Sequence, residues 1–227
     1  IHLYYLLLNV LAEEENRENF ESLKQFLTLN LNYFTLSDAK FVYSGAINYC
    51  IRKLKKGERQ FAEEALYLYT EAIEKEILFE NGILSHQIYK NVVDLALGLK
   101  QYDTIEEFIH SYKDKLDLKF RENALYYNLA NLFWHRKDYS EAMSLLNQIQ
   151  FTDIYYSFGA RVMLIKIYYE LKEFDPLTSQ LAAFSLYLKR NKSVSKTIKE
   201  SYLNFCGFMN KILRLKPIKK EGLLEQL

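Results

Sequence analysis

The chain has 227 residues and a net charge of +1, and nearly half of it is apolar, so a substantial core is available and a disordered chain is excluded. Only 7 Gly and 2 Pro occur among abundant Leu, Glu, Lys, Tyr and Phe, a composition that favours helices joined by short turns. The near-neutral balance gives no global electrostatic reason for binding nucleic acid or a membrane, and two isolated cysteines exclude a disulfide framework or a paired-cysteine zinc site.

In chain order, the opening IHLYYLLLNVLA is apolar for a dozen residues. It lacks a basic leader and the roughly 20 residues of a membrane span, so it reads as a packed helix and membrane insertion is not expected. Beginning at Ile1 in an amphipathic run, the chain is expected to be the downstream part of a longer protein. Residues 1–31 form a first helix pair. Tyr43, Ile47, Cys50 and Leu54, then Phe61, Ala65, Tyr69 and Ala72, predict a second over 37–78, turning around Gly57. Asn81-Gly82 breaks the chain before Ser85 caps the next helix. Further pairs follow over 85–114, 121–150 and 155–189. Ile198, Tyr202, Phe205, Met209 and Ile212 mark a last helix over 194–215, which caps the stack; Pro217 follows it.

The clearest unit is ALYYNLANLFWHRKDYSEAMSLLNQI (124–149). Tyr126, Leu129, Ala130 and Phe133 share one face of its first helix, while Tyr139, Ala142, Leu146 and Ile149 define the second. Ala130 and Ala142 are small where the two backbones must come close. The ending recurs as KQYDTIEEFI, KDYSEAMSLL and KEFDPLTSQL, with Tyr102, Tyr139 and Phe174 spaced 37 and 35 residues apart, the mark of stacked helix pairs. Residues 123–156 resemble the tetratricopeptide repeat through YNLANLF and DYSEAMSLL. Val93 and Ile165 depart from that pattern at the place of Ala130, and Ile105 and Leu177 at the place of Ala142, which predicts splayed or offset pairs there. Through AINYCIRKLKKGER, ENGILSHQIYKNVV and YLKRNKSVS, the chain taken whole is also similar to a group of larger bacterial proteins carrying such repeats. The resemblance implies an all-α, right-handed superhelix of antiparallel helix pairs and no known activity.

Chemistry-bearing motifs are few. His2, His86, His110 and His135 are scattered and match no metal-ligand spacing, so neither metal nor organic cofactor is expected. No glycine loop cradles phosphate. Glu13-Glu14-Glu15, Glu63-Glu64 and Glu106-Glu107 place carboxylates side by side, but neighbours on a helix diverge by about 100°, which suits solvated faces better than paired acid–base catalysis. The repeats resembled commonly bind partners on the face lined by first helices. Carried onto matching positions, this selects Lys90, Asn91 and Asp94, then Tyr127, Asn128, Asn131 and Trp134, then Lys166 and Tyr169, all off the apolar stripe. Amides, ammonium groups and flat rings there suit a peptide backbone or carboxylate.

Charge is uneven. From Tyr187 to Lys220 ten Lys or Arg face Glu200 alone, whereas residues 1–30 hold five Glu against Arg17 and Lys24. The sequence therefore predicts a cytoplasmic, non-enzymatic scaffold that binds a protein or peptide. One alternative is nucleic-acid association through Lys189, Arg190, Lys192, Lys196 and Lys199. A second is an accessory domain to an enzyme lying upstream.

Overall fold

A recurring turn sets the architecture. In the computed structural model, which describes residues 1–150, 154–192 and 194–215, Gly57, Lys100, Lys137 and Lys172 all adopt positive φ, at 99°, 62°, 63° and 62°. Each follows the last turn of one helix and precedes the next. At Lys137 its own N–H donates to the carbonyl of Trp134, and the N–H of Asp138 reaches back to Phe133, both at normal lengths. The same two bonds occur at Gly57 (to Leu54, and from Glu58 to Lys53), Lys100 (to Leu97, and from Gln101 to Ala96) and Lys172 (to Tyr169, and from Glu173 to Tyr168). This is the Schellman closure, which satisfies the otherwise orphaned last carbonyls of a helix and reverses the chain within a few residues.

The described residues contain eleven α-helices. The chain divides into two compact units, residues 1–153 and 154–227. In the first, α1 (His2–Ala12) pairs with α2 (Arg17–Asn30), α3 (Leu36–Lys55) with α4 (Phe61–Glu74), α5 (His86–Gly98) with α6 (Tyr102–Tyr112), and α7 (Leu118–His135) with α8 (Tyr139–Leu146). With connections this short, packed neighbours must run antiparallel. Polar side chains start several of them: Asn16, Thr35, Ser85, Asp117 and Asp138 each accept from a first-turn N–H. Successive pairs join through α1 on α3, α4 on α5, and α5 and α6 on α7.

Large apolar side chains fill the joints. Phe20, Tyr49 and Phe61 form a ring cluster with centroids 5.1–5.8 Å apart, linking α2, α3 and α4. Gly45 lets α1 approach α3, since a Cβ there would lie 2.8 Å from the Leu7 methyl groups. Over this joint Glu14 bonds Arg52 and Lys56, while Glu15 bonds the buried Lys53, whose second partner is Glu58. Ala130 and Ala142 are both fully buried, and α8 packs on α7.

The break at Asn81-Gly82 is more than a loop. With φ of 51° and 77°, the two residues make a tight reversal between the short antiparallel strands β1 (Phe79–Glu80) and β2 (Ile83–Leu84). Asn-Gly between FE and IL is itself a hairpin signal that the helix reading passes over.

In the second unit α9 (Ile154–Leu171) and α11 (Lys196–Leu215) both pack on α10 (Phe174–Arg190). Phe158, Leu177, Leu181, Phe184, Cys206 and Met209 form its core, and Tyr202 on the last helix contacts Phe158 and Phe184 edge-on. Pro217 lies outside the described residues. Among the described residues no helix is long and apolar enough to cross a membrane, and no group of three or more His, Cys, Asp or Glu side chains is placed to hold a metal.

Candidate functional site

Of the residues selected on first helices, Lys90, Asp94, Tyr127 and Asn131 come together, but largely to hold one another. Lys90 pairs with Asp94 one turn along α5. Asp94 also accepts from Asn131 of α7 at 3.0 Å, and the Lys90 ammonium lies 5.5 Å from the Tyr127 ring centre. Asn91 donates to the Tyr69 hydroxyl of α4 at 3.2 Å. Tyr127 and Asn131 are buried, and Asn128 is 0% exposed, its amide bonded to the Ala124 carbonyl at 2.7 Å. This corrects the expectation that these side chains lie on an open wall. Helices α5, α6 and α8 all pack against α7, so positions off its main apolar stripe are covered too. Trp134 is half-buried beside His135, with ring centres 4.9 Å apart. Lys166 is exposed and Tyr169 half-buried, both in the second unit. Asn123, which the sequence reading passed over, accepts from the Gln150 N–H at 2.8 Å and donates to its carbonyl at 3.1 Å, pinning the chain end after α8.

The basic group is placed differently. Lys189 and Arg190 end α10, where they complement the helix dipole, while Lys192, Lys196 and Lys199 follow in the loop and first turn of α11. Lys189, Arg190, Lys192 and Lys196 are exposed and Lys199 half-buried. Lys216, Lys219 and Lys220 lie outside the described residues.

The histidines serve packing or solvent. His86 stacks on Phe120 with ring centres 4.1 Å apart, and His2 meets Phe26 edge-on at 4.9 Å. His110 is exposed in the last turn of α6.

A concave site appears elsewhere in the first unit. Helices α4 and α6 flank α5, and between them lies an open cleft of about 530 Å³. Glu63, Tyr67, Thr70 and Glu74 line it from α4, recurring on one helical face. Thr104, Glu107, Phe108, Ser111 and Tyr112 line it from α6, and Val92 and Ala96 of α5 form the floor with Leu66 and Ile105. No lining residue is Lys, Arg or His. Burial pushes the Tyr112 phenol up, and the carboxylates of Glu74 and Glu76 add to the shift.

The glutamate doublets explain how these acids are presented. Glu64 pairs with Lys24 at 2.6 Å and Glu106 with Arg136 at 2.6 Å, both across helices. Their neighbours Glu63 and Glu107, rotated about 100° away, face the cleft instead. Such an arrangement offers apolar and aromatic contact with carboxylates at the rim. No family model matches the chain, and no curated protein or solved structure is detectably similar to it.

Proposed function

We propose that the chain is a protein- or peptide-binding helical scaffold without catalytic activity, built of tetratricopeptide-like helix pairs and working in the reducing cytoplasm, where Cys50 and Cys206 remain free thiols. The observation that carries this reading is the α4–α6 cleft: an open concavity lined by buried Leu66, Val92, Ala96 and Ile105, exposed Tyr67, half-buried Phe108 and Tyr112, and exposed carboxylates. The Schellman turn recurs between the two helices of a pair at Gly57, Lys100, Lys137 and Lys172, besides one after α4 at Glu76, and this recurrence within pairs supports the repeat assignment. The binding surface proposed is the cleft rather than the Lys90–Asp94–Asn131 network, whose groups already satisfy one another.

The test is peptide-array binding to the whole chain and to a Thr104→Trp variant, whose indole fills the cleft from an exposed position. Loss of most bound peptides with an unchanged melting temperature is the expected result; retention of all of them removes the cleft from the binding surface. A second reading, nucleic-acid association, rests on the exposed run Lys189, Arg190, Lys192 and Lys196. It predicts binding that weakens steeply with salt and is indifferent to Thr104→Trp.

A further inference from the structure

The carboxylates of the cleft have a definite arrangement along it. Glu63 and Glu74 are eleven residues apart on α4, about 16 Å along the axis at about 1.5 Å per residue. The lining of the cleft runs from Glu63 to Glu74 along α4 and from Gln101 to Tyr112 along α6, two helices that both pack on α5. Glu107, five residues before Tyr112, therefore falls between Glu63 and Glu74 on the opposite wall. None of the three makes an ion pair among the described residues, whereas the adjacent Glu64 and Glu106 do, as does Glu71 one turn before Glu74. The nearest lysines in sequence, Lys75, Lys100 and Lys113, do not line the cleft, and Lys75 pairs with Glu71.

The width is set by α5. Each rail packs on it at an interaxial distance of about 8–10 Å, so the axes of α4 and α6 are at most about 16–20 Å apart. That leaves room for the face of one more helix, laid over Leu66, Val92, Ala96 and Ile105. Unpaired carboxylates on both rims above an apolar floor call for the opposite pattern: apolar side chains pointing down, ammonium or guanidinium groups pointing out to either side.

We propose that the α4–α6 cleft binds a short amphipathic basic helix of a partner protein, about three turns long, with Lys or Arg side chains meeting Glu63, Glu107 and Glu74 while its apolar face covers the floor. This rests on the peptide-binding reading above and specifies the partner's chemistry. Exposed acids distributed over both walls also repel acidic segments, so the same residues supply selectivity.

The test uses the full chain and three fluorescein-labelled peptides of about twelve residues: a leucine–lysine amphipathic helix, its glutamine-for-lysine analogue and its glutamate-for-lysine analogue, titrated by fluorescence anisotropy. The lysine peptide is expected to bind at least about tenfold more tightly than the glutamine analogue, and the glutamate analogue more weakly still. A Glu63→Gln/Glu74→Gln/Glu107→Gln variant, whose melting temperature controls for folding, should bring the lysine peptide down to the level of the glutamine analogue, and raised salt should do the same. If lysine and glutamine peptides bind equally and Thr104→Trp blocks both, peptide binding stands and the basic-partner inference is overturned. If no peptide binds, or Thr104→Trp blocks none, the peptide-binding reading falls with it. Complete displacement of the lysine peptide by millimolar butylammonium would replace the helical partner with a small organic cation and likewise overturn the proposal.

Discussion

Replacing the lysines at the left-handed turn positions with glycine should stabilise the first unit. Lys100 and Lys137 sit at φ of 62° and 63°, where an L side chain crowds the following carbonyl at a cost of about 1–2 kcal/mol. Glycine removes that cost but loses more backbone freedom on folding, about 0.5–1 kcal/mol. The net gain is about 0.5–1 kcal/mol per site. Both side chains are exposed and their ammonium groups make no ion pair among the described residues, so nothing offsets it. The turns close different hairpins and share no hydrogen-bond partner, so Lys100→Gly/Lys137→Gly should add to about 1–2 kcal/mol. At about 2–4 °C per kcal/mol for a chain of this size, the melting temperature should rise by roughly 2–8 °C, followed by the helical circular-dichroism signal. Gly57→Lys at the equivalent turn should move it the other way. A fall in stability on either Lys→Gly change, as glycine causes inside a helix, would refute the assignment of these residues to the Schellman position.

Ala142→Leu should destabilise by about 1–3 kcal/mol through overpacking against α7, read as a lower urea midpoint; an unchanged midpoint would show that the two helices do not meet at Ala142. Asn131→Ala should cost about 1–2 kcal/mol by removing the bond to Asp94 and emptying a buried site, the opposite of the near-zero effect expected of an exposed residue. Asn123→Ala should release the chain after α8, lowering the midpoint and raising hydrogen exchange at the Gln150 amide. Lys56 and then Arg52 hold the Glu14 carboxyl below its ordinary value, and Lys53 and Lys56 do the same for Glu15. Folding therefore gains from their ionised forms at neutral pH, and that gain disappears as pH falls from about 4.5 through the depressed folded values; Glu15→Gln should flatten this acid limb of the stability curve.

Much of the fold was legible because helix pairs are specified locally. The last turn, the tight polar connection and the first residue of the next helix lie within a few positions of one another, so KQY, KDY and KEF could be recognised as one feature before their geometry was known. What the spacing did not reveal is the reason for the lysine: in each case it is the residue that turns left-handed, a place where glycine would be the stronger signal. The strand pair at Phe79–Leu84 was hidden for a different reason, since two-residue strands leave no alternating pattern and only Asn-Gly marks them.

The site was less legible, because periodicity reports which face of a helix is apolar but not how many neighbours it has. Asn128 and Asn131 fall off the main stripe of α7 and were assigned to an open surface on that ground. Three other helices cover α7, so an off-stripe asparagine is as buried as an on-stripe alanine. Glu63 and Glu107 are exposed, as a solvated face requires, but their surroundings were not legible. A glutamate doublet on a helix was read as a solvated face, yet the two carboxylates point about 100° apart and meet different surroundings. One member of each doublet reaches a basic partner from another helix, Lys24 or Arg136, at 2.6 Å. The member left over then faces the space between second helices. A doublet whose inner residue is matched by a distant Lys or Arg thus identifies its outer residue as a rim position. Finding that match requires knowing that α2 lies against α4 and that Arg136, at the turn after α7, lies against α6, which is long-range information that no local window contains.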